Sequence, residues 1–205
     1  MTSPRLNPVL AATAAALVLS ACGSRALTLP DDPIDRAATC GVIAAAQARA
    51  AVSDVKEALP FEAQGRVLHF ALLGGSDGES FSQDRAAAVN ARMSELQEAI
   101  VDGEWEGLIE PCREAFPAAA SEQVTLPEGR EALLGCDELG EFISRAMARQ
   151  GGDYGNELAE YAGFNRAMDQ RSVTASPEER SAALAAIVQA GSPMAVMSEC
   201  MQRYG

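Results

Sequence analysis

The chain has one histidine, His69, one tryptophan, Trp105, and no CxxC or CxxCH pair among its five cysteines. A three-histidine metal site is therefore excluded within one chain, although a lone general base is not. Zinc, haem c and thiol-redox chemistry all lack their usual spacing. Sustained apolar–polar alternation is missing and β-branched clusters are sparse, which argues against sheet. The glycine-rich stretch GGSDGES at 74–80 has no lysine and no preceding strand, so it fails as a phosphate-binding loop and reads as a flexible connection. Basic residues are scarce: 16 Lys or Arg stand against 29 Asp or Glu. A surface of that sign repels phosphate backbones and predicts no nucleic-acid partner.

The amino terminus, MTSPRLNPVLAATAAALVLSAC, runs from a short polar stretch with Arg5 into an apolar stretch, Val9 to Leu19. That run is shorter than the roughly 20 residues a membrane-spanning helix needs and has the order of a secretory signal. It ends in Leu19-Ser20-Ala21-Cys22. Here the chain resembles the bacterial lipoproteins, whose signals end in such a lipobox. The resemblance covers the leader alone. It implies that residues 1–21 are removed and that Cys22 begins the mature chain. Cys22 would carry diacylglycerol on sulfur and a further acyl chain on its amine, enough for stable anchoring without a span. Gly23, in place of an aspartate, implies the outer membrane, with the protein facing the periplasm. The mature chain then has 15 basic and 29 acidic residues, a formal −14. Residues 22–33 follow as anchor and linker, polar and rich in proline.

With Cys22 used for lipid, Cys40, Cys112, Cys136 and Cys200 remain in an oxidising compartment, which predicts two disulfides. Spacing alone leaves three pairings open. A faint internal repeat favours one of them. AATCGVIAAAQARAAV (37–52) resembles LLGCDELGEFISRAMA (133–148), SQDRAAAVNARM (82–93) resembles SPEERSAALAAIV (176–188), and EPCREAF (110–116) resembles SECMQRY (198–204). The cysteine and arginine offsets decline in order, 96, 95 and 88, as a small insertion near VDGEWEG would produce. Each copy then opens and closes with a cysteine, favouring Cys40–Cys112 and Cys136–Cys200.

Alanine, leucine, glutamate, arginine and glutamine dominate, so the expected fold is all-α. About eight helices are expected, over 34–58, 61–73, 83–101, 105–116, 129–150, 153–169, 177–190 and 193–203. They fall into two quasi-repeated four-helix halves, 34–120 and 121–205, each closed by a disulfide. Ser176-Pro177 with Glu179 reads as a capping box, and Ser192-Pro193 as a similar start. Gly74-Gly75, Gly151-Gly152 and Gly191 read as stops. Pro111 requires that the fourth helix begin or kink beside Cys112.

Three constellations are candidates for function. Asp102, Glu104, Glu106 and Glu110 surround Trp105, a platform with carboxylates that would suit a glycan-cleaving acid and base, or a contact surface; a core plug is the competing assignment. Met194, Met197 and Met201 share a helix face and would suit copper(I), or a core stripe. His69, between Leu68 and Phe70, is either a binding residue or a hydrogen-bonded core residue. The expectation is a lipid-anchored envelope protein acting as a non-enzymatic binding or interaction module, without cofactor or resident metal. Its partners would be the membrane and an envelope protein, peptide or lipid. An envelope hydrolase near Trp105 and a copper carrier are the alternatives.

Overall fold

The structure is a computed structural model that describes residues 27–54, 56–121, 123–150, 152–171 and 174–205. The leader, Cys22 and Gly151 lie outside the described residues. The fold is all-α. In chain order it comprises α1 (Pro33–Ala50), α2 (Phe61–Gly75), α3 (Gln83–Val101), a 3-10 turn (Trp105–Leu108), α4 (Ile109–Ala115), α5 (Pro117–Ala120), α6 (Gly129–Met147), α7 (Gly155–Gln170), α8 (Pro177–Val188) and α9 (Pro193–Tyr204).

Local chemistry sets most of these boundaries. Asp32 caps α1 by accepting from the amides of Ile34 and Asp35 at 3.0 and 2.9 Å, with Pro33 at the first helical position. Ser82 accepts from the Arg85 amide to start α3. The capping box of Ser176 and Glu179 is present in both directions at the start of α8. Ser192 differs: α9 does begin with Pro193, but the serine side chain makes no cap hydrogen bond. Pro111 occupies the third position of α4, within the first turn, where a missing amide costs no intrahelical bond.

Three elements depart from the sequence expectation. α1 ends at Ala50 rather than at 58, because Asp54 folds back on the Lys56 amide at 2.8 Å, the Arg49 guanidinium donates to the Glu57 carbonyl, and Pro60 follows. The fourth expected helix divides into the 3-10 turn and α4, and Pro117 restarts the chain as the short α5. GGSDGES forms an ordered turn instead of a flexible connection. Asp77 accepts from the amides of Glu79 and Ser80, and the latter bond, with its neighbours, holds the exposed carboxyl below its usual range. Ser181 of α8 fixes the end of this turn, its hydroxyl accepting from the Phe81 amide and donating to the Phe81 carbonyl.

The two halves share part of their packing, although α3 lies along α2 whereas α8 hardly meets α7. α1 lies along α2 and α3, and α6 lies along α8 and more narrowly along α7 and α9. Cys40 of α1 is bonded to Cys112 of α4, and Cys136 of α6 to Cys200 of α9, with Cα separations of 5.5 and 5.7 Å. First and fourth helices are thus stapled in each half, as the repeat predicts. The halves do not keep separate interiors. One apolar core includes Ala71, Leu72 and Val89 from the first half with Leu139, Ile187 and Met197 from the second. α2 forms the junction, packing on α6, α8 and α9 as well as on α1 and α3. Arg180 ties α8 to α6 through Asp137 and Glu138 at 3.0 and 2.7 Å.

Peptide mapping without reduction is expected to return Cys40–Cys112 and Cys136–Cys200; any crossed pairing would refute the arrangement. The Cys136→Ala, Cys200→Ala pair opens a 64-residue loop and is expected to lose about 4 kcal/mol. That loss corresponds to a fall in Tm of roughly 10 °C, read by calorimetry.

Candidate functional site

A groove of about 800 Å³ lies beside the carboxyl half of α1. Its volume is within the usual range, about 300–1,000 Å³, of small-molecule sites. Apolar walls come from α1 (Val42, Ala46), α2 (Val67, Leu68) and α3 (Met93, Val101), with Trp105 contributed by the 3-10 turn. α6 reaches it with its last residues and the segment just beyond, Ala146, Arg149 and Gln150. The polar lining consists of Arg49 and Arg149 with the neutral groups Gln64, Asn90, Ser94, Gln97 and Gln150. No aspartate or glutamate among the described residues lines the groove, although acidic residues outnumber basic ones almost two to one in the chain.

The position of the two arginines explains how they persist without a carboxylate. Arg49 lies in the last turn of α1 and Arg149 just past the end of α6. Cations are favoured at helix carboxyl ends by about 0.3–1 kcal/mol. Arg49 donates to a backbone carbonyl, and neither guanidinium meets a carboxylate among the described residues. Both retain donors for an anion.

Trp105 is half-buried, packed in a small cluster with Ile100, Leu108 and the preceding segment's Leu27 and Leu29. Asp102, Glu104, Glu106 and Glu110 are exposed, and none lines the groove; Glu110 pairs with Arg113 at 3.0 Å. Acid–base cleavage of a glycan seated there would need two carboxylates on the reacting bond. The structure brings Trp105 to the groove and leaves its acidic neighbours outside.

The methionine face is packed. Met197 is fully buried, Met194 lies against Gly65 and accepts from the Tyr161 hydroxyl at 3.6 Å, and Met201 packs on the core. The neighbouring Cys200 is held in its disulfide. The three thioethers therefore present no common open face to an ion.

His69 is not in the groove. It is 1% exposed, and its Nε2–H donates to the Val188 carbonyl at 2.9 Å, joining α2 to α8. Burial disfavours the imidazolium and pushes the pKa down to about 4, with the carbonyl acceptor opposing in part. The group is neutral at pH 7 and serves as a structural link between halves.

Sequence reasoning found Trp105 and missed Arg49 and Arg149. The available signal was negative: Arg49 lies in AAAQARA, without an acidic residue one helical turn away in either direction. Nothing local places it near Arg149, 100 residues later.

Comparison with protein-family models, curated proteins and solved structures returns no match for the chain.

The His69 link has a pH signature. The unfolded imidazole protonates at 6.5 and the folded one at about 4. Between these values the unfolded chain binds the additional proton. The contribution to stability is therefore full above pH 6.5, falls as pH drops, and has declined by about 3 kcal/mol below the folded pKa. Urea unfolding at pH 7 and pH 4.5 should show most of that loss in the wild type. His69→Gln, which keeps an N–H donor, should show a clearly smaller pH difference; an equal one would remove His69 from the account.

Proposed function

We propose that the chain is a lipid-anchored protein of the cell envelope that binds an amphipathic anion in the α1–α2–α3–α6 groove without transforming it. The carrying observation is the groove's composition. Apolar walls and an aromatic face suit an alkyl or ring body, two arginines suit an acidic head, and among the described residues no carboxylate lines the groove to repel it. Guanidinium groups bind carboxylate or phosphate through paired, charge-assisted bonds. The carboxamides around them suit ester or hydroxyl oxygens. The lipobox-like leader supports attachment through Cys22, and Gly23 supports the outer membrane.

Dodecanoate is a suitable probe, because Trp105 is the only tryptophan and lines the site. Titration should change Trp105 emission saturably. Loss of charge-assisted bonds worth about 1.5–3 kcal/mol should weaken binding at least tenfold in Arg49→Gln/Arg149→Gln. Dodecanol should bind the wild type more weakly than dodecanoate and be indifferent to the double variant. Equal binding of acid and alcohol by the wild type would overturn the reading.

Attachment has its own test. Alkynyl palmitate should label the chain in cells, and Cys22→Ser should lose the label and move from membranes to the soluble periplasmic fraction. Labelling that survives this substitution would refute the lipobox assignment.

A further inference from the structure

The segment before α1 is part of the folded body rather than a free tether. Leu27 and Leu29 pack in the same apolar cluster as Trp105, and the Leu27 methyl lies so close to Gly103 that a Cβ there would meet it at 3.0 Å. The following residues are held as well. The Arg36 guanidinium donates to the carbonyls of Pro30 and Asp31 at 2.9 and 2.8 Å. Leu27, the first described residue, thus lies beside the 3-10 turn that supplies Trp105 to the groove.

Leu27 lies five positions after Cys22, with four residues between them. The covalent reach from one to the other is at most about 18 Å, less than half of a full bilayer with headgroups. A lipid on Cys22 would consequently keep Leu27, beside the Trp105 wall of the groove, within that distance of the bilayer surface. The acidic mature chain, at a formal −14, gains nothing from an anionic surface except where cations are uncompensated, and the groove offers two such cations.

From this geometry we infer that the groove is loaded from the membrane that carries the anchor, and that its occupant is an anionic lipid of that membrane. The inference rests on the groove-binding function proposed above and adds the source. The alkyl region of the lipid lies against the apolar walls and Trp105, and its phosphate or carboxylate meets Arg49 and Arg149. The anchor keeps site and ligand at high effective concentration, an advantage that a short linker makes large.

The test uses the full lipidated chain in phosphatidylcholine vesicles, with a protease site inserted between Gly23 and Ala26. Pyrene-labelled phosphatidylglycerol is placed either in the same vesicles or in a separate population. After incubation the tether is cut, vesicles are removed and lipid bound to the released protein is counted by mass spectrometry. Loading from the same vesicles should exceed loading from separate vesicles by on the order of tenfold. It should fall at least severalfold in Arg49→Gln/Arg149→Gln, and pyrene-labelled phosphatidylcholine should load poorly. Equal loading from both vesicle populations, or equal loading of the two lipids, overturns the membrane source or the anionic head respectively. No phosphatidylglycerol loading together with saturable dodecanoate binding overturns this inference and leaves the groove function standing; failure of dodecanoate as well overturns both.

Discussion

Helix α2 is enclosed on every side from Val67 to Gly75, and the arrangement of both halves follows from that enclosure. A helix buried all round can approach its neighbours only where side chains are small. A Cβ at Gly74 would lie 2.7 Å from the Val89 side chain and 2.8 Å from that of Ala37, and one at Gly65 would meet Met194 at 2.7 Å. Glycine thus sets the spacing of α2 to α1, α3 and α9. The helix-propensity penalty, about 1 kcal/mol for each glycine, is offset by burial of Leu68, Phe70, Leu72 and their neighbours, each contributing roughly 1.5–3 kcal/mol. Enclosure also requires that polar groups be satisfied, and His69 meets that requirement as a neutral donor to Val188. The carboxyl half of α2 is clamped between the halves. Its amino half, carrying Gln64, Val67 and Leu68, can then serve as a fixed wall of the groove.

Aligned on Cys40 and Cys136, the two halves differ at a position that bears on the groove. At the offset that relates Cys40 to Cys136, Arg49 corresponds to Arg145 and Ala45 to Glu141. Arg145 is paired with Glu141 across one helical turn at 2.8 Å, an ordinary exposed ion pair of small energetic weight. In the first half the acidic partner is an alanine, and the equivalent cation faces the groove. The same alanine narrows that face of α1 and opens space for a ligand. The alanine at this position thus accounts for both the uncompensated charge and part of the cavity. Arg149, one turn beyond Arg145, supplies the second cation from the other half, so the site exists only because the halves share a core.

Legibility in the sequence followed the range of the interaction. Caps and proline positions act within four residues, and α3, α8 and α9 begin where Ser82, Ser176 and Pro193 indicate. The disulfides were legible over 60–75 residues because cysteine is rare and the repeat placed one at each end of a copy. Alanine-rich composition misled at 51–58, where helix propensity is high but Asp54 and Pro60 impose a turn. The same weakness appears at 105–120, which composition renders as one helix and prolines divide. The groove was illegible for a different reason. Its walls are contributed by four helices and a turn spread over more than 100 residues, and its defining property is the absence of acids. Trp105 was found by its rarity, while its acidic neighbours drew attention to a chemistry that their exposure does not support.

The combination of an acidic chain and a cationic groove is physically consistent. At physiological ionic strength the screening length is about 8 Å, so exposed carboxylates elsewhere on the surface barely affect an anion held in contact with a guanidinium. Within the groove, partial removal from water strengthens the arginine contacts. Helix ends stabilise Arg49 and Arg149 without requiring carboxylates that an incoming anion would have to displace. Binding then completes an unfilled set of donors and covers apolar wall in one step. The surrounding negative charge opposes nonspecific adsorption of an anionic surface away from such cationic concavities. On the binding function proposed above, such a groove retains ligands that satisfy both its walls and its arginines.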